Sequence, residues 1–234
     1  MRLVIMQPYL FPYIGYFQLL KSCDKFIFYD DVNFIKGGWI NRNRILVNGK
    51  DHMFSVPLKN ISSYNLINQT EINKNQYTGW YSKFLKTVEQ NYKKAPYFYE
   101  TITIITEVLD EPPEYISDLA SKSIITVASY LKLPIDFVTS STIYNNSHLR
   151  AAERVLDICT KESASIYINT IAGKELYTEE EFSRNSMHLK FLKTGDITYK
   201  QFNNEFIPWL SIIDLMMFNP IKVIHQFLDR YELL

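Results

Sequence analysis

Cysteine is almost missing from this chain of 234 residues: Cys23 and Cys159 stand far apart with no C-x-x-C spacing. They suit neither a disulfide framework nor a zinc site and read as reduced structural thiols. Glycine is sparse too, with seven residues, and none falls in G-x-G-x-x-G, G-x-x-x-x-G-K-[ST] or G-x-S-x-G. P-loop enzymes, dinucleotide dehydrogenases and serine hydrolases of the usual kinds are thereby set aside. Net charge is absent, since 25 basic residues balance 25 acidic ones. No overall positive field exists to hold a nucleic-acid backbone over an extended surface. Long apolar runs are lacking as well. The opening Leu3-Val4-Ile5-Met6 is too short for a signal-peptide core, and nothing approaches a membrane span. A cytoplasmic protein is expected. The four histidines, His52, His148, His188 and His225, share no metal-ligand spacing, so no metal site is expected.

Aromatic residues are plentiful: 17 Tyr, 15 Phe and 3 Trp make up 15% of the chain. Most must serve the core, because large rings bury area efficiently. Others cluster in polar, Pro- and Gly-punctuated segments, where a core role is less natural. The patterning predicts a strand over 3–6, a Pro-rich turn, a helix over 15–22 and a second strand over 26–29, which is a short βαβ unit. Two strands at 45–47 and 53–56 flank Asn48-Gly49, a dipeptide that favours hairpin turns. Three helices follow over 77–91, 97–109 and 113–131. Strands at 136–139, 165–168 and 188–191 then alternate with helices, and two last helices span 209–218 and 221–231. The expectation is a single α/β domain over 1–234 with an open, mostly parallel sheet of about five strands. Its first strand lies inside, a hairpin leaves the sheet, and residues 77–131 form a helical insertion.

The segment from Gln7 to Phe17 sits where open α/β sheets bind ligands, past the carboxyl end of the first strand and entering a helix. Gln7, Tyr9, Tyr13 and Tyr16 offer hydrogen bonds and stacking surfaces, and Gly15 permits close approach. A tightly packed structural turn is the alternative. Tyr13-Ile14-Gly15-Tyr16 has the frame of the H-x-G-H motif that holds ATP phosphates in nucleotidylyltransferases, with tyrosine in place of each histidine. Tyrosine can donate to phosphate but cannot supply an imidazolium charge, so nucleotide binding fits better than the same chemistry. Asp30 and Asp31 end the second strand, and Lys36, Trp39, Asn41, Arg42 and Arg44 follow. That mixture suits a sugar nucleotide: cations for diphosphate, an indole for a ring face, carboxylates for an amine proton. A salt-bridged, solvated hairpin is the competing reading. Gly173, in Ala172-Gly173-Lys174, could belong to a second wall. Glu205 to Asp214 reads either as a core helix capped by Ser211 or as a segment facing a pocket.

Taken together, the stretch from Ile5 through Gly15 to Leu19, with Tyr29-Asp30-Asp31-Val32, Gly38-Trp39-Ile40-Asn41-Arg42-Asn43-Arg44-Ile45, Phe54-Ser55-Val56-Pro57-Leu58 and Phe206 to Leu215, resembles the WbqC-like family. Asn169-Thr170-Ile171 departs from the more Gly-rich, Ser-led loop expected there. The resemblance implies a Rossmann-like, nucleotidylyltransferase-like sheet and a place among bacterial O-antigen and surface-polysaccharide genes. It also implies N-acylation or N-aminoacylation of a nucleotide-linked amino sugar, for example glycyl transfer to a 4-amino-4,6-dideoxyhexose on dTDP. The acyl donor would be an adenylate made from ATP with Mg²⁺, or an ester on an aminoacyl carrier. Asp30, Asp31 and Lys36 are then the expected catalytic residues. Gln7, Tyr9, Tyr13, Gly15, Tyr16, Trp39, Asn41, Arg42, Arg44 and Gly173 are the expected substrate contacts. The alternative is a non-catalytic sugar-nucleotide-binding or pathway-assembly protein.

Overall fold

A computed structural model describes all residues from Met1 to Leu234. Strand β1 (Arg2–Met6) is apolar on both sides because both its faces are covered, and β2 (Lys25–Phe28) pairs with it in parallel. Helix α1 (Ile14–Ser22) joins them and is buried on nearly every side. Its fully buried Gln18 donates Nε2 to the carbonyls of Phe227 and Arg230, both at 2.9 Å, so a core amide satisfies carbonyls left over where a later helix ends. Next come β3 (Arg42–Val47) and β4 (Lys50–Ser55), an antiparallel hairpin standing apart as its own two-stranded sheet. Asn48 and Gly49 make its turn with φ of 50° and 74°, the left-handed pair that matches strand twist.

Helices α2 (Lys74–Tyr92), α3 (Phe98–Leu109) and α4 (Ile116–Tyr130) follow. Phe84, Val88, Ile105 and Ile124 share one hydrophobic cluster with Phe26 and Phe28, so these helices and one sheet face have a common core. Then come β5 (Asp136–Val138), α5 (Ala151–Lys161), β6 (Ile166–Thr170), α6 (Glu179–Ser183), β7 (His188–Thr194), α7 (Ile212–Phe218), α8 (Ile221–Leu228) and β8 (Tyr231–Leu233). A second cluster, including Leu3, Ile5, Ile158 and Tyr167, covers the other sheet face beneath α5 and α6.

The main sheet has six strands in the order β5-β2-β1-β6-β7-β8, all parallel except β8. From β1 the chain builds outward through β2 to β5 and returns on the other side as β6 and β7. The crevice between the carboxyl ends of β1 and β6 is therefore a topological switch point. Two sequence expectations need correction. Helix α8 ends at Leu228, and Tyr231 belongs to a sixth strand, whose Leu233, Glu232 and Tyr231 pair with Leu192, Lys193 and Thr194. Arg42 and Arg44 lie in β3 itself, where alternation turns Asn43 and Ile45 into the core and leaves the two arginines half-buried. No helix is long and apolar enough to cross a membrane.

Candidate functional site

Three segments far apart in sequence are stitched together above the sheet. Phe11, in the turn after β1, is fully buried and takes a left-handed φ of 41°. Such a conformation is costly for a bulky residue and persists only where its surroundings over-determine it. Here the Phe11 amide donates to Ser123 Oγ at 2.9 Å, while its carbonyl accepts from Asn43 Nδ2 at 2.8 Å and from Ser211 Oγ at 2.7 Å. Ser211 N donates to the Arg44 carbonyl, and Ile212 N to the Pro12 carbonyl, both at 2.9 Å. The turn, the first hairpin strand and the start of α7 thus hold one another. Trp209 is the second bulky residue of this region with a left-handed backbone, at φ 62°.

Around this junction lie three cavities that share Tyr13 and Trp209. One, of about 410 Å³, occupies the switch-point crevice between Met6, Tyr9, Gly15 and Tyr16 on one side and Thr170, Ile171, Ala172 and Thr194 on the other. A second, of about 300 Å³, is bounded by Tyr9, Tyr13, Trp39, Asn43, Arg44 and Trp209. The third, of about 250 Å³, is mostly apolar, with Ile197, Tyr199, Phe206 and Leu215 in its walls and Thr194 and Asp196 among its polar members. Mostly apolar clefts of this size with a few polar groups suit small-molecule ligands. Burial raises the phenol pKa of both Tyr9 and Tyr13, so each keeps its proton and can donate.

The expected site residues divide between this cleft and other settings. Tyr9, Tyr13, Gly15, Tyr16, Trp39 and Arg44 line it. Tyr16 is buried, with its hydroxyl spent on the Gln7 carbonyl at 2.9 Å. The Tyr13 ring lies so close over Gly15 that a Cβ there would meet it at 2.4 Å. The Arg44 guanidinium stands 5.6 Å from the centre of the Trp39 ring and bonds Asp51 at 3.2 Å and the Trp209 carbonyl at 3.3 Å. Its Nε is buried without an acceptor. Arg42 turns back on its own loop, donating to the carbonyls of Gly37 and Gly38 beside Trp39. Asn41 is engaged with the Val56 backbone in both directions. Lys36 is exposed, with no ion-pair partner. Gly173 leaves room for the Asn169 side chain behind the crevice wall. Gln7 lies just past β1, its Oε1 buried and unpartnered.

Asp30 and Asp31 line none of the three cavities. Asp31 is sequestered by a buried ion pair with Arg154 and a bond from Ser141, and Arg154 also sits over the Tyr29 ring. Asp30 is buried and accepts from Ser140 Oγ at 2.8 Å and Ser141 N at 3.1 Å; burial raises its carboxyl pKa. Sequence reading did not mark Thr194, Asp196 or Tyr199, and Trp209 entered only as part of an apolar segment. Position past the end of a strand could have flagged Thr194 to Asp196, as it did Gln7. Behind Tyr199 lies Asp214, fully buried, accepting from Tyr92 Oη, Tyr199 Oη and Gln201 Nε2, each at 2.7 Å. No group of three or more His, Cys, Asp or Glu residues is arranged to hold a metal ion.

Every segment in this junction belongs to a stretch that the WbqC-like protein family model matches, over residues 7–226. The chain is a member of the WbqC-like family. It is 28% identical over 222 residues, 92% of each chain, to an uncharacterized protein of Mycobacterium tuberculosis. No solved structure matches it. As a family member it carries its aromatic and basic residues at the switch-point edge of a mostly parallel sheet.

Proposed function

We propose that this WbqC-like protein is a transferase that acylates or aminoacylates the amine of a nucleotide-linked sugar in surface-polysaccharide synthesis. The observation that carries the reading is the meeting of Tyr9, Tyr13, Trp39, Arg44 and Trp209 around connected cavities beside the switch point. Rings for stacking, a guanidinium for charge and an apolar compartment beyond them are the groups that a sugar nucleotide and a small acyl group need. The strand order supports a Rossmann-like, nucleotidylyltransferase-like use of the sheet, in which phosphates sit at this edge.

In the proposed step the neutral amine attacks the acyl carbon and a C–N bond forms. The bond from that carbon to its leaving oxygen breaks, and the electron pair departs with the oxygen. The leaving group is the phosphate of an aminoacyl adenylate made from ATP with Mg²⁺, or the oxygen of a carrier ester. The amine proton goes to Asp196, the carboxylate that lines the cleft. Protonated Tyr9 and Tyr13 stabilise the oxyanion, and the walls orient the reactants. Asp31, committed to Arg154, and Asp30, held by Ser140 and Ser141, shape the neighbouring strand end.

The test is incubation with a dTDP-4-amino sugar, glycine or another amino acid, and ATP with Mg²⁺, read by mass spectrometry. The expected product is heavier by one aminoacyl residue. Arg44→Ala should lose at least about tenfold in kcat/KM, the loss expected for a bond to a charged group. A protein that binds the sugar nucleotide yet yields no product with free, adenylated or carrier-borne donors would be a binding or assembly protein instead.

A further inference from the structure

The compartment of about 300 Å³ between β3 and the Trp209 loop contains two of the chain's three tryptophans. Trp39 is 38% exposed and Trp209 60%. Large rings normally gain by burial, so two indoles left partly open on one cavity offer π surface to a flat ligand, on Trp39 beside the two guanidinium groups that already approach its ring. Trp209 holds its place despite a left-handed backbone, with its carbonyl fixed by Arg44 and its ring set edge-on to Tyr13 at 5.6 Å.

The acceptors among the side chains of this compartment are few, and Asn43 and part of Arg44 are already committed. Asn43 gives Nδ2 to the carbonyls of Leu10 and Phe11 and takes the Arg44 amide on Oδ1. Arg44 spends Nη1 on Asp51 and Nη2 on Trp209. What is left is Arg44 Nε, buried without an acceptor, the second N–H on each Arg44 Nη, the two indole N–H groups and the phenols of Tyr9 and Tyr13. A phenol can donate or accept, whereas a guanidinium nitrogen only donates, and no carboxylate lines the compartment. A ring carbonyl would satisfy the waiting donor. An exocyclic amine in its place would set donor against donor and leave both unpaired.

We propose that this compartment is a base slot that takes the nucleobase of the sugar nucleotide between Trp39 and Trp209 with its C4 edge towards Arg44, and that the Arg44 guanidinium selects a pyrimidine with a carbonyl at C4, such as uracil or thymine, over cytosine, which carries an amino group there. The proposal rests on the sugar-nucleotide reading above. It also assigns the switch-point crevice to the diphosphate and the sugar.

Trp80, the remaining tryptophan, stacks on Phe84 within α2 and lines none of the three cavities. The tryptophan emission of a Trp80→Phe protein, excited beyond the tyrosine absorption, therefore comes from Trp39 and Trp209 alone. UDP, CDP and inorganic pyrophosphate are titrated into it, with fluorescence and calorimetry read together. UDP should quench the emission and bind at least about tenfold more tightly than CDP, and pyrophosphate, seated in the switch-point crevice that Trp209 also lines, should quench clearly less than UDP. Arg44→Lys in the same background should bring UDP and CDP to similar affinities, because an ammonium lacks the fixed planar donor. Equal affinity for UDP and CDP with Arg44 intact would overturn the slot alone. Quenching by pyrophosphate as deep as that by UDP would also overturn it, since the base would then add nothing to the change at the two indoles. If calorimetry detects no nucleotide binding, the sugar-nucleotide reading falls with it.

Discussion

Asp214 shows how one residue can set the tone of its surroundings. Its carboxyl is fully buried and faces three neutral donors and no cation, so burial raises its pKa despite those bonds. The folded state thus binds this proton more readily than the unfolded chain. Asp214 weakens the fold above its raised folded pKa, and the penalty is relieved as pH falls through that value towards the ordinary aspartate range. Tyr199 stays protonated, its own pKa raised well above the usual by burial, and it donates to this carboxylate. Tyr199→Phe should cost about 1.5–3 kcal/mol near neutral pH, the range for bonds to charged groups. The cost should shrink to about 0.5–1.5 kcal/mol once the pH has fallen below the raised pKa of Asp214 and its carboxyl is protonated. Urea unfolding of both proteins across that interval measures it, and a cost that is constant with pH would show that Asp214 does not titrate there.

Strand β3 does two jobs with opposite faces. Asn43 points inward and holds the carbonyls of Leu10 and Phe11, while Arg42 and Arg44 stay half-buried near Trp39. Asn43→Ala would strip the Leu10 carbonyl of its side-chain donor and leave the Phe11 carbonyl with Ser211 alone, at a cost of about 1–3 kcal/mol for the group left unpaired. Because the same bonds fix the turn that carries Tyr9 and Tyr13, nucleotide affinity should also fall, which calorimetry on folded protein would detect. An exposed control, Asp51→Asn, should change stability by less than about 1 kcal/mol, as befits a surface pair. The hairpin itself was legible in the sequence, since Asn48-Gly49 states its turn directly. The arginines were not recognised as strand residues, because a half-buried strand with polar residues at alternate positions reads locally as a loop. Strand β8 was missed for a related reason: three residues behind an amphipathic helix carry too little periodicity to announce a strand. Tyr9 and Tyr13 could be picked from their place after β1. Trp209 owes its role to contacts with a turn 200 residues away, as the Ser211 to Phe11 bond illustrates, and no local pattern encodes that meeting.

At the scale of the whole molecule, the site is built from the fold's most distant pairings. Residues after β1, in β3 and ahead of α7 enclose it, and α7 shares its hydrophobic cluster with the sheet and helices α2 to α4. Ligand binding and overall structure should therefore be lost together. In a urea series, UDP affinity and helical circular dichroism should share one midpoint within error. Loss of affinity well before loss of helix would show that the junction opens as a separate unit. The left-handed turn at Phe11 has a further consequence when the chain is made from its N-terminus onward. Its restraints come from Asn43, Ser123 and Ser211, at sequence separations of 32, 112 and 200 residues. During synthesis, which runs at roughly 5–20 residues per second, the turn emerges 200 residues ahead of its last clamp, which arrives many seconds later. Until then nothing compels Phe11 to stay left-handed, so a nascent chain can carry the tyrosines of the site long before it has the site.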